Sequence, residues 1–178
     1  MKQQYQELYN ELRQFMPEER LIHDQLRTLA YGTDASFYRL IPQLVVRVDN
    51  EDEVSRVLKL TRARKLPVTF RAAGTSLSGQ AVTDSVLIQL SSNWRGYQVH
   101  DLGDRVSLQP GVIGGKANQI LAPYQRKIGP DPASINAAMI GGIAANNASG
   151  MCCGTAQNSY NTLVSARIVL ADGTVVDT

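Results

Sequence analysis

The sequence feature that most constrains the fold is a loop of small residues between two apolar runs. Residues 71–80 read RAAGTSLSGQ and stand between LPVTF and SVLIQL; we call them the glycine loop. Glycine tolerates a positive φ, and successive backbone N–H groups in such a loop can form a nest for an anion. Each hydrogen bond to a charged oxygen contributes about 1.5–3 kcal/mol. Alone, the loop indicates either a diphosphate site or an ordinary connection between strands.

The spacing of the two glycines excludes two common nucleotide motifs. The loop lacks the Gly-Lys-Ser/Thr end of a Walker A sequence and the G-x-G-x-x-G pattern of the dinucleotide fold. Those two cofactor classes are therefore disfavoured.

A second stretch of small residues follows later, and we call residues 129–150 the proline–glycine stretch. It begins GPDPAS and continues through GGIAANNASG. Two prolines stiffen the turn, and the small residues allow a flat, bulky partner to approach. Asn146 and Asn147 carry amide donors and acceptors that suit a heteroaromatic edge. The alternative is a tightly packed Gly/Ala helix with a polar end.

Hydrophobic periodicity predicts a mixed α and β chain. We predict four helices, near residues 5–15, 18–30, 51–65 and 115–125. In the second helix Leu21, Ile22, Leu26 and Leu29 are expected to face inward. Strands are predicted at PQLVVRV, PVTFR and SVLIQLS, with hairpins that turn near Gly103 and at Asp172-Gly173. The order strand, helix, strand indicates a parallel sheet with a right-handed crossover.

Composition indicates a folded protein and argues against several functions. Of the 178 residues, 43% are hydrophobic and 19% charged, which is typical of globular chains. The net charge of +2 gives no electrostatic footprint for nucleic acid. No apolar run approaches the ~20 residues of a membrane span. The two cysteines, Cys152 and Cys153, are adjacent, which excludes a disulfide framework and a cysteine-only metal site within the sequence.

Three stretches in one order carry a family resemblance: PVTFRAAGTSLSGQ, IGPDPASINAAMIGGIAANNASG and VLADGTVVDT. They resemble the FAD-binding domain of the vanillyl-alcohol oxidase and p-cresol methylhydroxylase superfamily. Within it the sequence is similar to the FAD-linked D-lactate, glycolate and D-2-hydroxyglutarate dehydrogenases. The resemblance implies an α+β fold of two small α/β lobes, one with a βαβ parallel sheet and one with a mixed or antiparallel sheet. It implies an FAD-binding domain (37–178) that is incomplete at its C-terminus and a substrate domain outside this sequence. Before that domain, helical periodicity predicts an N-terminal helical segment (1–36).

The resemblance also implies which residues bind FAD. Around the diphosphate they are Ala72, Ala73, Gly74, Thr75, Ser76, Leu77, Ser78, Gly79 and Gln80. Along the ribityl chain and isoalloxazine they are Pro130, Asp131, Pro132, Ala133, Ser134, Gly141, Gly142, Ala144, Ala145, Asn146 and Asn147. Near the adenine the resemblance implies Ile168, for which an ordinary core strand is the alternative.

Some relatives bind flavin covalently through a histidine where this sequence has Thr75, so FAD is expected to be held non-covalently. His23 and His100 are expected at the surface or in caps. Arg71 is expected either to neutralise phosphate or reach the substrate, or else to be an exposed arginine at the end of a strand. Asp34 and Ser36, in YGTDAS, are expected in a structural loop near the cofactor.

The stretch NNASGMCCGTAQNSYNTL resembles long bacterial members of the family, which carry iron–sulfur modules beyond the flavoprotein part. Clusters usually need four thiolates, so Cys152 and Cys153 are expected to be buried or half-buried structural residues. Any cluster would lie in modules outside this sequence.

The resemblance implies oxidation of a D-2-hydroxy acid, with hydride transfer to flavin N5. The base and the carboxylate-binding residues belong to the substrate domain, so no catalytic or metal-binding residue is predicted here. The alternatives are an alkyl-glycerone-phosphate synthase-like flavoenzyme and a non-catalytic nucleotide-binding module. Partners are expected to be FAD, a small 2-hydroxy acid and an unknown electron acceptor, without nucleic acid. The expected location is the cytoplasm, with peripheral attachment at the inner membrane face as the alternative.

Overall fold

The computed structural model describes residues 2–178. The helices are α1 (Gln3–Leu12), α2 (Gln25–Ala30), α3 (Glu51–Ala63), α4 (Gly114–Leu121), α5 (Ile140–Ala145) and α6 (Ser159–Thr162). The strands are β1 (Leu21–Ile22), β2 (Leu44–Val48), β3 (Val68–Arg71), β4 (Val86–Leu90), β5 (Tyr97–His100), β6 (Arg105–Leu108), β7 (Arg167–Val169) and β8 (Val175–Asp177). The chain forms two compact units: a first unit up to Ser91 together with Arg167–Thr178, and a second unit, Ser92–Ala166.

The first unit is built on a four-stranded sheet with the strand order β1-β2-β4-β3. β2 and β3 both run parallel to β4, with Leu44 and Val68 each opposite Val86. β1 pairs antiparallel with β2 at the other edge. The parallel sheet predicted from the strand–helix–strand pattern is therefore present, and β4 lies between the two strands that α3 connects.

The two central strands carry the core of this sheet. Val45 and Val46 in β2 and Leu87 and Ile88 in β4 are all 0% exposed. Central strands of a parallel sheet are covered on both faces, which explains why their sequences are continuous apolar runs. Each such side chain contributes about 1.5–3 kcal/mol on burial.

The predicted helix over residues 18–30 is wrong in its first half. Glu18–Arg20 form a single 3-10 turn, and Leu21 and Ile22 form β1, where they are buried against β2. The helix begins only at α2, whose N-cap Asp24 accepts a hydrogen bond from the Arg27 N–H at 2.9 Å. Leu26 and Leu29, predicted to face inward, are exposed. Pairing with the edge of β2 satisfies the backbone of residues 21–22 better than a helix that Asp24 interrupts.

Helix α1 contributes to the same unit through one buried face. Tyr5, Leu8, Tyr9 and Leu12 are buried at helical spacing. The Tyr5 hydroxyl also forms a hydrogen bond with Ser85 Oγ at 2.9 Å, just before β4. The predicted N-terminal helix is therefore present and packed, while the proposed boundary between residues 36 and 37 stays a prediction.

Helix α3 begins as its sequence predicts. Asn50 accepts a hydrogen bond from the Glu53 N–H at 2.9 Å, and acidic residues fill the first turn. Glu53 in turn receives two hydrogen bonds from Arg20, at 2.7 and 2.8 Å. Hydrogen bonding to Glu53 is the largest cause that raises the pKa of Arg20, although its partial burial opposes the rise.

The β7–β8 hairpin packs against α3 within the first unit. It turns at Gly173, which has a φ of 81°. The Ser55 hydroxyl donates to the Gly173 carbonyl at 2.5 Å, and Arg167 Nε donates to Glu51 Oε2 at 2.6 Å. The C-terminal hairpin predicted at Asp172-Gly173 is therefore present.

The second unit combines the β5–β6 hairpin with three short helices. The hairpin turns through Asp101–Gly103, as predicted, with Gly103 at a φ of 93°. The start of α5 pairs with an earlier segment, since the Gly141 N–H donates to the Pro110 carbonyl at 2.8 Å and the Ile140 N–H to the Val112 carbonyl at 2.8 Å. Within residues 2–178, no helix has the length and hydropathy of a membrane span.

Candidate functional site

The glycine loop is an irregular connection between β3 and β4 in the first unit. Gly74 has a φ of 71° and Gly79 a φ of 75°. Both angles lie in the left-handed region that side chains disfavour, so both positions require glycine for conformational reasons. The sequence-based expectation of positive φ at these two glycines is confirmed.

A hydroxyl organises the second half of the loop. Ser76 Oγ accepts hydrogen bonds from the Ser78 N–H at 3.3 Å and the Gln80 N–H at 3.4 Å, and it contacts Gln80 Oε1. In this structure the Ser76 hydroxyl holds the loop together, and the expected place of Ser76 beside the diphosphate stays a prediction.

The first half of the loop has unused backbone donors. Among the residues that the structure describes, the N–H groups of Gly74, Thr75 and Ser76 have no hydrogen-bond partner, and all three residues are half-buried. A backbone N–H without a protein partner is free to bond to water or to a ligand. Three consecutive unpaired donors are the chemistry that binds an anion without a basic side chain.

Arg71, at the end of β3, turns towards an earlier segment. Its Nη1 donates to the carbonyl oxygens of Tyr31, at 3.2 Å, and of Thr33, at 2.7 Å. Of the two expectations for Arg71, the exposed strand end is wrong, because the side chain is half-buried and bridges two carbonyls. Its part in binding phosphate stays a prediction.

Asp34 joins the same segment to the far end of the loop. One carboxylate oxygen accepts from the Ser36 N–H at 2.8 Å and the Ser36 hydroxyl at 2.5 Å, and the other from the Ala81 N–H at 3.4 Å. Partial burial alone would raise the pKa of Asp34, but these hydrogen bonds and the nearby Arg71 outweigh it and hold the pKa below its usual range. Asp34 and Ser36 form a structural loop, as expected.

Residues 130–132, in the second unit, are irregular and lead into a turn over residues 133–137, and Asp131 has internal partners. Asp131 Oδ2 accepts from the Cys152 N–H at 3.1 Å, and Oδ1 accepts from the Cys153 N–H at 3.2 Å. Partial burial works to raise the pKa of Asp131, and the hydrogen bonds from this loop lower it by more. Cys153 is buried, whereas Cys152 is exposed, so the expected burial holds for only one of the two thiols.

Residues 141–147 form helix α5 and its C-terminal turn, so the Gly/Ala-helix interpretation of this stretch is correct for its conformation. A Cβ on Gly141 would lie 2.7 Å from Pro110 Cβ, so glycine permits this close packing. Asn147 Oδ1 accepts from the Tyr160 N–H at 2.9 Å, while Asn146 is exposed. One of the two amides predicted for the flavin edge therefore already has a protein partner.

Three further predicted positions are located by the structure. Ile168 lies in β7 and is 42% exposed, so it is not a core residue. His23 is exposed between β1 and α2, not inside a helix, and its ring contacts Tyr9 edge-on. His100 pairs with Ser107 Oγ at 2.9 Å across the β5–β6 hairpin.

The structure brings residues 72–80 together as one loop in the first unit, which also holds Ile168. Residues 130–134 and 141–147 lie in the second unit. That these groups bind one extended ligand stays a prediction. The sequence analysis missed Tyr31, Thr33, Ala35 and Tyr38 as partners of the glycine loop. The Asp-Ala-Ser sequence, a common source of side-chain-to-backbone turns, signalled local structure but not its partner.

Comparison with known proteins identifies the class. A family model described as FAD binding domain matches residues 42–178. The chain belongs to this family of FAD-binding domains.

The family includes curated relatives of known activity. The chain is 32% identical over 165 residues to the glycolate oxidase subunit GlcD of Escherichia coli, covering 91% of this chain and 33% of that protein. It is 27% identical over 154 residues to the D-2-hydroxyglutarate dehydrogenase of Haemophilus influenzae, covering 84% of this chain and 15% of that protein. It is 31% identical over 135 residues to the D-lactate dehydrogenase of Archaeoglobus fulgidus, covering 75% of this chain and 30% of that protein. The chain thus spans a third or less of the length of these relatives.

Solved structures agree on the fold. An alkyldihydroxyacetonephosphate synthase matches with a TM-score of 0.82 at 21% identity, over 99% of this chain and 34% of that one. p-Cresol methylhydroxylase matches with a TM-score of 0.79 at 14% identity, over 100% of this chain and 36% of that one. The predicted fold, that of the vanillyl-alcohol oxidase and p-cresol methylhydroxylase superfamily, is confirmed, and the curated relatives are named as an oxidase subunit and as dehydrogenases.

Proposed function

We propose that this chain is the FAD-binding part of an oxidoreductase that oxidises a D-2-hydroxy acid, with the glycine loop as the diphosphate site. The observation that carries the proposal is the set of three consecutive unpaired N–H groups at Gly74, Thr75 and Ser76. The relatives named for glycolate, D-2-hydroxyglutarate and D-lactate support the substrate class.

The residues of the loop fit the diphosphate of FAD. The loop supplies neutral donors where a carboxylate would repel phosphate, and its glycines allow the backbone itself to reach the oxygens. Thr75 adds a hydroxyl and offers no histidine for a covalent link, which supports non-covalent binding. Residues 130–134 and 141–147 are proposed to hold the rest of the cofactor, and Ile168 to lie near the adenine.

Bound FAD supplies a two-electron acceptor for the hydride of the substrate α-carbon. This chain's part is to bind and orient that acceptor, while the hydroxyl proton goes to a base outside the predicted site residues. The iron–sulfur modules and the cytoplasmic location, free or at the inner membrane face, remain predictions, and the electron acceptor is unknown.

The test starts from the purified protein with FAD or FMN added in separate titrations. We expect retention of FAD and weak retention of FMN, because FMN lacks the diphosphate, and we expect acid to release the flavin intact. The full-length protein is then mixed anaerobically with glycolate, D-lactate or D-2-hydroxyglutarate, and the flavin absorbance is followed.

Bleaching by one of these acids supports the dehydrogenase. FAD binding without bleaching by any of them rejects the substrate class and favours a flavoenzyme of another kind, such as an alkyl-glycerone-phosphate synthase-like protein. Equal affinity for FAD and FMN rejects the diphosphate role of the glycine loop. No flavin binding at all leaves a non-catalytic module.

A further inference from the structure

The glycine loop is held from one side by a segment forty residues earlier in the chain, residues 31–38. Within the first unit, five contacts join this segment to the glycine loop and to Ala81, which directly follows the loop. Arg71 bonds the carbonyls of Tyr31 and Thr33, the Ala35 N–H donates to the Gly74 carbonyl at 3.0 Å, the Asp34 carboxylate accepts from the Ala81 N–H at 3.4 Å, and the Tyr38 ring lies against Gly79.

The contact at Gly74 fixes the direction of an unused donor. The Gly74 carbonyl and the Thr75 N–H belong to one peptide unit, which is planar and trans, so the two groups point in opposite directions. Because Ala35 holds that carbonyl, the Thr75 N–H is directed away from the 31–38 segment. The segment therefore determines which way the Thr75 N–H faces.

The two glycines of the loop also allow close packing on their neighbours. A Cβ on Gly74 would lie 2.6 Å from Arg71 Nη2, and a Cβ on Gly79 would lie 2.8 Å from Tyr38 Cδ2. Both glycines thus combine a positive φ with close packing, Gly74 against the Arg71 side chain and Gly79 against Tyr38 of the 31–38 segment.

Side-chain chemistry reinforces the arrangement. The Arg71 guanidinium is 6.0 Å from the centre of the Tyr31 ring, a weak cation–π contact. The two carboxylate oxygens of Asp34 accept hydrogen bonds from different segments. One accepts from the Ser36 N–H in the 31–38 segment, and the other from the Ala81 N–H directly after the glycine loop. A groove of about 270 Å³ runs beside Gly79, lined by Tyr38, Arg39, Leu40, Ser78 and Val82.

We propose that the 31–38 segment preorganises the glycine loop for the FAD diphosphate, with Asp34 and Arg71 as positioning residues. The inference rests on the proposed function of the loop and deepens it. Rigid, correctly directed donors bind a charged ligand better because less conformational entropy is lost on binding.

The test uses the full chain and two readouts: the Kd for FAD, and hydrogen exchange of peptides covering residues 72–80 in the absence of flavin. The variants are Asp34→Ala and Arg71→Met. The matched control is Asp24→Ala, which removes another aspartate that accepts a backbone N–H, at 2.9 Å, but does not touch the loop.

We expect each test variant to raise the Kd for FAD about tenfold or more, which corresponds to about 1.4 kcal/mol. Exchange in residues 72–80 should become faster without flavin. Asp24→Ala should leave both readouts at wild-type values, and Asp34→Asn, which keeps one acceptor oxygen, should restore part of the affinity. Urea unfolding of all variants checks that the loss is local.

Three outcomes would overturn the inference. Wild-type affinity and wild-type exchange in Asp34→Ala and Arg71→Met would remove the role of the segment. Weakened FAD binding with unchanged exchange would mean that these side chains contact the ligand directly and position nothing. A wild-type chain that binds no FAD, even if exchange in the variants rises, would reject the proposed function and the preorganisation argument with it.

Discussion

At the scale of single residues, the most heavily partnered charge in the first unit is Arg20. It bonds both oxygens of Glu53 and lies 2.9 Å from Asp49 Oδ2. The side chains of Arg20 and Glu53 are only 15% and 12% exposed. A bidentate pair this well shielded from water is stable as a pair but costly to break, because the remaining charge loses its compensation.

We predict that Arg20→Ala lowers the free energy of unfolding by about 2–4 kcal/mol, somewhat less than for a fully buried pair. The double variant Arg20→Met/Glu53→Leu should recover part of that loss, because it removes both members of the shielded pair and leaves only the more exposed Asp49 without its partner. Arg105→Ala, at an exposed pair with Asp101, serves as the surface control and should cost less than about 1 kcal/mol. Urea unfolding measures all three, and a double variant weaker than the single one would contradict the prediction.

At the scale of elements, the sequence predicted best where the signal was local. Asn50 and the acidic turn after it predicted the start of α3, and the continuous apolar runs predicted β2 and β4. Residues 18–30 were mispredicted because Leu21 and Ile22 suit either a helix or a strand. Their pairing with Val46 and Val45 of β2 decides between the two, and that contact is invisible in a local pattern.

The cap of α3 allows a clean test of one element. Asn50→Ala should lower the free energy of unfolding by about 1 kcal/mol, because the Glu53 N–H loses its acceptor. Asn50→Ser keeps an acceptor and should retain most of the stability. Asn10→Ala, which removes only an exposed contact with Gln6 in α1, should change stability by less than about 0.5 kcal/mol. Equal losses in Asn50→Ala and Asn50→Ser would show that the cap is not responsible.

In the candidate site, too, features with a local sequence signal were predicted and features that depend on tertiary contacts were not. The positive φ angles of Gly74 and Gly79 could be predicted because the residue type alone, glycine in a short loop, indicates them. The contacts between residues 31–38 and the glycine loop could not be predicted, because the hydrogen bond from Ala35 to Gly74 joins residues far apart in the chain. Asn147 was predicted as a flavin contact, yet its oxygen receives the Tyr160 N–H, a tertiary bond that composition does not reveal.

At the scale of the whole molecule, several carboxyl groups have a lowered pKa: Asp24, Asp34, Asp131 and Asp172. In Asp24 and Asp172 the largest cause is a hydrogen bond from a backbone N–H, of Arg27 and Thr174 respectively. In Asp34 and Asp131 burial is the largest single cause and raises the pKa, but the hydrogen bonds together lower it by more. All four groups hold their protons less tightly in the folded chain than in the unfolded one.

The sign of the pH dependence follows. An aspartate in the unfolded chain has a pKa of about 3.9, so the stabilisation from these groups is present above that pH and is lost as the pH falls through the lower folded values. We predict that the free energy of unfolding, measured in urea, declines below about pH 5. Asp24→Asn/Asp172→Asn should show a shallower decline, and an unchanged slope in that variant would refute the assignment.

The burial of α1 and β1 bears on how this protein should be produced. The family match begins at residue 42, but Leu8 and Leu12 are 0% exposed and the Tyr5 hydroxyl bonds Ser85. Cloning from the start of the match would strip an edge strand and a helix from the sheet and leave apolar surface bare. Expression trials that begin at residue 42 are therefore expected to give aggregated material, and the first forty residues belong in any version made for flavin titration.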